Sequence, residues 1–122
     1  MHSPSVLIVE DEVLVALMVE EALAEAGFRI SAVYRSGAAA MDHLRRAAPD
    51  VLLLDVVLRG EYSGLDVARA VRSFWSGPIV FHTSASETGP REQMASIPNA
   101  TVVFKPATRT ELLSAVRGML PK

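Results

Sequence analysis

The chain alternates short apolar runs with longer amphipathic stretches five times along its length. Strands that alternate with helix-length segments form βαβ units, whose strands are parallel. The run Val51, Leu52, Leu53, Leu54 is apolar on both faces, as a central strand covered by helices must be. The run at 29–33 alternates instead, which is typical of an edge strand. The pattern predicts an α/β protein with strands at residues 6–9, 29–33, 51–54, 79–81 and 101–104.

Start and stop signals divide the stretches between the strands into five expected helices. Gly27 ends the first helix, because glycine best tolerates a left-handed C-terminal position. Pro98 cuts the fourth helix short, and Thr108 has the capping-box spacing to Glu111 at the start of the fifth. The expected helices cover about residues 13–26, 37–47, 64–75, 88–97 and 109–120.

Length and charge limit the classes of function. A chain of 122 residues, half of them hydrophobic, is sized for one domain with one core, so we expect a single domain over residues 1–122. The net charge of -2 and the pI near 5.9 provide no basic field for a nucleic acid. The chain has no cysteine and no apolar run of membrane-spanning length, so we expect a cytoplasmic protein without nucleic-acid or membrane partners.

Polar residues that would be costly inside a sheet follow or end four of the predicted strands. They are Glu10 and Asp11, then Asp55, then Thr83, then Lys105. All lie at carboxyl ends, where open parallel sheets bind ligands. In a sheet ordered 2-1-3-4-5 these four strands are neighbours, and their ends converge on one site.

Glu10, Asp11 and Asp55 would bring three carboxylates together, which like-charge repulsion disfavours unless a cation or a proton lies among them. Oxygen donors without histidine or cysteine at ligand spacing point to a hard cation such as Mg²⁺. A metal-bound carboxylate beside a lysine is suited to accept a phosphoryl group, and an aspartate can form an acyl phosphate. Taken alone, the acidic triplet at 10–12 is equally consistent with a helix start favoured by the helix dipole.

Four short motifs occur in the order, and over the whole chain length, that is typical of one family. They are LIVEDE at 7–12, LLD at 53–55, HTS at 82–84 and FKP at 104–106. The chain resembles the receiver domains of two-component response regulators. The resemblance implies a flavodoxin-like three-layer sandwich, with a doubly wound five-stranded parallel sheet in the order 2-1-3-4-5.

The resemblance also implies a role for each motif residue. Asp55 would accept the phosphoryl group, Thr83 would hydrogen-bond it and Lys105 would pair with it. Mg²⁺ would be bound by Asp11 and Asp55 directly, by Glu10 through water and by the backbone carbonyl of Val57. A cis bond between Lys105 and Pro106 is suggested as well.

By the same resemblance the chain is a signalling switch of a phosphorelay and not an enzyme, beyond catalysing its own phosphoryl transfer and slow dephosphorylation. A histidine kinase or histidine phosphotransfer protein would phosphorylate it, and phosphorylation would change its affinity for a downstream partner. Receivers commonly dock the phosphodonor on the first helix, so we expect Leu14 and Met18 to contact it. The alternative is that this apolar face packs against the fifth helix.

The sequence departs from the family pattern at several positions near the expected site. The segment 56–63 is one residue longer than is common and has Arg59-Gly60 where a proline is usual. Val102 replaces an aromatic residue that swings inward on activation, and a β-branched side chain has no ring to move. Val57 and Ala85 stand where polar side chains would orient a hydrolytic water, which predicts slow loss of the phosphoryl group.

Three other classes of protein share part of the pattern. A haloacid dehalogenase-type phosphatase also uses a strand-end aspartate, but its nucleophile is expected on the first strand within an Asp-x-Asp pair. A flavodoxin-like electron carrier needs a phosphate loop after the first strand, and none is present. A degenerate receiver that binds partners without phosphorylation would more often have lost Asp55, Thr83 or Lys105.

Overall fold

The computed structural model describes residues 3–85 and 88–121. Its strands are β1 (Ser5–Val9), β2 (Arg29–Tyr34), β3 (Val51–Leu54), β4 (Ile79–Thr83) and β5 (Ala100–Phe104). Its helices are α1 (Val13–Glu25), α2 (Gly37–Arg46), α3 (Gly64–Val71), α4 (Thr88–Ala95) and α5 (Arg109–Met119).

The five strands form one parallel sheet in the order β2-β1-β3-β4-β5. This confirms the predicted fold class and strand order, including the edge position of β2. Strand β4 extends two residues beyond the predicted end and includes Thr83, whose side chain is fully buried. Helix α3 ends at Val71, earlier than expected, because the chain turns through residues 72–74 before it reaches β4.

The sheet separates two apolar cores, so the fold has three layers. Leu52 and Leu54 of β3 pack in the core that also contains side chains of α2, α3 and α4. Val51 and Leu53 point the other way and pack with side chains of α1 and α5. A strand with alternate side chains buried in two cores must be apolar at every position, which explains the sequence of β3.

The helix ends follow the signals in the sequence. Gly27 has a φ of +97° after the end of α1, a conformation that glycine adopts without strain. Thr108 accepts a hydrogen bond from the Glu111 amide and Glu111 accepts one from the Thr108 amide, so the predicted capping box is confirmed. Among the described residues, no helix combines the length and the apolar character needed to cross a membrane.

Candidate functional site

The carboxyl ends of β1, β3, β4 and β5 bring the predicted polar residues to one edge of the sheet. Lys105 lies at the centre, because its Nζ is 2.7 Å from Glu10 Oε1 and 2.9 Å from Asp55 Oδ2. The Lys105 side chain is 14% exposed, and those of Glu10 and Asp55 are 3% and 6% exposed. Glu10 is therefore a buried partner of Lys105, and the acidic triplet is more than a solvated helix start.

The second oxygen of each buried carboxylate accepts a hydrogen bond from the main chain. Glu10 Oε2 accepts from the Glu12 amide at 3.1 Å, and Asp55 Oδ1 accepts from the Val57 amide at 3.0 Å. These bonds fix both carboxylates at the ends of their strands. The bond to Asp55 also ties the start of the loop at 56–63 to the site.

Burial and charge shift the pKa values of the central pair. Burial raises the pKa of the Glu10 carboxyl, although hydrogen bonds from Lys105 and the Glu12 amide act to lower it. Burial acts to lower the pKa of Lys105, but its hydrogen bonds to Glu10 and Asp55 and their charges outweigh that effect and raise it. The Lys105 ammonium group is therefore charged at neutral pH.

Thr83 places its hydroxyl at the same edge. The hydroxyl oxygen accepts a hydrogen bond from the Ala85 amide at 3.1 Å. A threonine hydroxyl has one proton to donate, and this contact does not use it. The peptide bond between Lys105 and Pro106 is cis, as the sequence suggested.

Asp11 lies at the rim of the site and contacts two arginines from two different loops. Arg59 Nε is 3.0 Å from Asp11 Oδ2, and Arg35 Nε donates to the Asp11 carbonyl oxygen at 3.3 Å. The sequence indicates that Arg59 lies on a longer loop near the site, but neither its contact with Asp11 nor that of Arg35 was predicted. Neither residue belongs to a motif, so only the folded loops reveal these contacts.

The loop at 56–63 connects β3 to α3 and carries Arg59. Gly60 follows with a φ of +94°, which turns the chain back towards the helix. Gly64 opens α3 directly beneath the site, where a Cβ atom would lie only 1.9 Å from the Asp55 carbonyl oxygen. Only glycine therefore allows α3 to begin this close to the end of β3.

The residues predicted as metal ligands supply oxygen atoms only, a donor set that suits Mg²⁺. Within residues 3–85 and 88–121, however, no three acidic or histidine side chains already stand together as a ready-made ion site. Each predicted carboxylate ligand is instead paired with a protein cation, either Lys105 or Arg59. The donors fit the ion chemically, and each carboxylate uses only one of its two oxygens in these ion pairs.

His82 is a buried residue beside the site, and no role was predicted for it from the sequence although it belongs to the HTS motif. It precedes Thr83 on β4 and lines a small pocket with Glu10 and Asp55. Burial, with a contribution from the charge of Lys105, lowers the pKa of His82 to about 4, so its ring is neutral at pH 7. The alternation of side chains along β4 would have indicated that it faces α1 and α5.

The exposed face of α1 lies next to the same site. Leu14 and Met18 are 75% and 70% exposed, so the alternative that this face packs against α5 is wrong. A groove of about 630 Å³ lies between α1 and the segment from β5 to α5, and its lining includes Met18, His82 and Lys105. The apolar face of α1 is thus continuous with the candidate site.

A sequence model described as the response regulator receiver domain matches residues 6–117. The chain belongs to this family. Sensory transduction protein RegX3 of Mycobacterium tuberculosis is 34% identical over 116 residues, or 95% of this chain and 50% of RegX3. The phosphate regulon transcriptional regulatory protein PhoB of Rhizobium meliloti is 29% identical over 120 residues, or 96% of this chain and 52% of PhoB. The receiver domain spans about half the length of these relatives.

Solved receiver structures have the same fold. A putative response regulator from Chloroflexus aurantiacus superimposes with a TM-score of 0.90 at 27% identity, covering 99% of this chain and 100% of that one. The BeF3-activated N-terminal receiver domain of Klebsiella pneumoniae RstA gives 0.87 at 26% identity, covering 97% and 99%. These likenesses confirm the family and fold inferred from the four motifs.

Two side chains of β5 precede Lys105 and differ in their surroundings. Val102 on β5 is half-buried against the core shared with α2, α3 and α4 and presents no ring. The aromatic residue nearest to Lys105 in sequence is Phe104, which is partly exposed and lies under the guanidinium group of Arg91 at 5.7 Å. Changes in this region must therefore proceed without the inward swing of a ring at position 102.

Proposed function

We propose that this receiver domain accepts a phosphoryl group on Asp55 and acts as a switch in a two-component phosphorelay. The observation that carries the proposal is the contact between Lys105 Nζ and Asp55 Oδ2, with Thr83 and Glu10 at the neighbouring strand ends. A buried carboxylate held by a lysine at the carboxyl edge of a parallel sheet is a suitable acceptor. It needs no other side chain to remove a proton, because it is already an anion.

In the proposed transfer, an Asp55 oxygen forms a bond to phosphorus while the bond from phosphorus to the donor's imidazole nitrogen breaks. The electron pair of the broken bond stays on the imidazole, which leaves as the free base after taking a proton from solvent. The product is an acyl phosphate with more negative charge than the carboxylate. Lys105 can pair with the negative charge of the phosphoryl group. The Thr83 hydroxyl has its proton free to donate to a phosphoryl oxygen.

We further propose that Asp11, Asp55 and the Val57 carbonyl hold a Mg²⁺ ion, with Glu10 acting through water. When bound, the ion would neutralise charge on the transferring group and help to orient it. The carboxylates would supply its charge and oxygen ligands. Before the ion binds, the single charge of Lys105 is shared between Glu10 and Asp55.

Intact mass spectrometry after incubation with a small phosphodonor tests the proposal. The wild type should gain one phosphate when Mg²⁺ is present and none when excess chelator is present during the incubation. Asp55→Asn should gain none, whereas Asp42→Asn, which alters an exposed carboxylate on α2, should behave like the wild type. An unmodified wild type would instead favour a receiver that works without phosphorylation.

We propose that the phosphodonor is a histidine kinase or histidine phosphotransfer protein that docks on the exposed face of α1. Leu14 and Met18 support this, because both are apolar and exposed, and Met18 lines the groove that reaches Lys105. Their burial would contribute about 1.5–3 kcal/mol each to the complex. Leu14→Ser with Met18→Ser should slow transfer from the cognate donor but leave phosphorylation by a small phosphodonor unchanged.

Transfer that is equally fast in the folded double variant would contradict the docking proposal. If the chain is a signalling domain, each donor molecule should transfer about one phosphoryl group to it. Sustained turnover of phosphodonor that is faster than the decay of the acyl phosphate would indicate an enzyme instead.

A further inference from the structure

The rim of the acidic site carries a cation of its own on the long loop between β3 and α3. Arg59 Nε lies 3.0 Å from Asp11 Oδ2, while Lys105 takes the other two carboxylates. The three carboxylates of Glu10, Asp11 and Asp55 therefore face two protein cations. Each acidic side chain that is proposed to coordinate the metal ion already contacts a protein cation, although Lys105 shares one charge between two of them.

The two arginines at Asp11 make different contacts. Arg59 pairs with the carboxylate, whereas Arg35 donates to the backbone carbonyl oxygen. The carboxylate of Asp11 is the group that a metal ion would need, and a guanidinium group and a divalent ion compete for the same oxygen lone pairs. Arg35 contributes a nearby positive charge without occupying that carboxylate.

We propose that Arg59 is a tethered counter-ion that competes with Mg²⁺ for Asp11, so that loading of the site requires Arg59 to leave the carboxylate. The inference rests on the proposed function, because it assumes that Asp11 is a ligand. It assigns the longer loop a role: the loop sets the metal concentration at which the site becomes competent for phosphorylation. Arg59 is a positioning residue in this account and does not touch the reacting atoms.

The exposure of the two partners limits the size of the effect. The Arg59 side chain is 82% exposed and that of Asp11 is 13% exposed. The pair is therefore close to a surface ion pair, which water and salt weaken but do not abolish. Its loss should tighten Mg²⁺ binding by about two- to fivefold, the range that corresponds to measured surface pairs.

Calorimetric titration of the unphosphorylated protein with MgCl₂ tests the inference, with Arg59→Gln and Arg35→Gln compared at one ionic strength. Arg59→Gln should bind Mg²⁺ about two- to fivefold more tightly than the wild type. Arg35→Gln removes the same charge without freeing the Asp11 carboxylate. Its Mg²⁺ affinity should therefore differ from that of the wild type by clearly less. Equal affinities in the wild type and Arg59→Gln would overturn the inference, and so would an equal gain in both variants.

A second readout follows the Arg59 side chain directly. The Nε–H resonance of Arg59 can be assigned by its loss in Arg59→Gln. It should shift during the Mg²⁺ titration, and the midpoint of that shift should equal the midpoint of the calorimetric titration. The corresponding resonance of Arg109, which pairs with Glu25 on the α1–α5 side, should not move. An Arg59 resonance that stays fixed while heat is released would overturn the inference but leave the metal site intact. Absence of both heat and any Mg²⁺-dependent resonance shift in all three proteins would overturn the metal site itself.

Discussion

Replacing Lys105 with methionine should strongly destabilise the metal-free protein. The ammonium group lies 2.7 Å from Glu10 and 2.9 Å from Asp55, and all three side chains are largely or fully buried. Methionine preserves the unbranched stem of the side chain as far as Cε but leaves two buried carboxylates without their counter-ion. Removing one partner of a buried pair typically costs about 3–5 kcal/mol, and we expect the free energy of unfolding to fall by that amount.

The matched control is Arg109→Gln. Arg109 pairs with Glu25 at 2.7 Å, as close as Lys105 and Glu10, but the side chains of Arg109 and Glu25 are both about half exposed. An exposed pair contributes about 0–1 kcal/mol, so this variant should be nearly as stable as the wild type. Comparing the two variants separates the effect of burial from that of distance.

Urea unfolding in the presence of a chelator, followed by the fluorescence of Trp75, measures both variants. Adding Glu10→Gln to Lys105→Met should recover part of the loss, because one uncompensated carboxylate is removed. A loss below about 1 kcal/mol in Lys105→Met would refute the reasoning, since the pair would then behave like a surface pair.

The pKa shifts predict how this effect depends on pH. The raised pKa of Lys105 means that its contribution to stability is present at neutral pH and is lost only as pH rises through that raised value. The raised pKa of Glu10 means that this carboxyl favours folding at low pH and loses that contribution as pH rises through its folded value. The penalty of Lys105→Met should therefore be smaller near pH 4.5, the ordinary pKa of Glu10, than at pH 7.

Three further outcomes follow from the same region. The acyl phosphate should decay slowly, and Val57→Asn or Ala85→Glu should accelerate its loss by up to about 10²-fold, measured as loss of phosphate at neutral pH; rapid decay unaltered by either change would contradict this. Because the pKa of His82 is lowered to about 4, folding should lose stability as pH falls from 6.5 towards 4, and His82→Gln should flatten that loss in urea unfolding. Gly64→Ala should cost about 1–3 kcal/mol, whereas Gly118→Ala, with open space around it on α5, should stabilise the protein by about 0.5–1 kcal/mol; equal effects would show that Gly64 is not sterically required.

Much of the fold could be predicted because its signals are local. The apolar run at β3 and the alternating run at β2 identified a central and an edge strand, and Thr108 with Glu111 marked the start of α5. The convergence of the strand-end residues also followed, because parallel strands of known order present their carboxyl ends at one edge.

The rest depends on distances between segments that are remote in sequence. No local pattern indicates that Arg59 reaches Asp11, because the path of the 56–63 loop is set by Gly60 and by the start of α3. The exposure of Leu14 could not be distinguished from packing against α5, because an apolar stripe on a helix suits either partner. The lowered pKa of His82 could not be predicted, because it depends on burial in the folded protein and on the charge of Lys105, which is remote in sequence.

The proposed phosphoacceptor, Asp55, can be identified chemically. Borohydride reduces an acyl phosphate to an alcohol and leaves a free carboxylate unchanged, so it marks the aspartate that carried the phosphoryl group. After treatment with a small phosphodonor and Mg²⁺, peptide mapping should find homoserine at position 55, and only in the phosphorylated sample. Homoserine at position 11 or another position, or phosphorylated protein without reduction at position 55, would contradict the account.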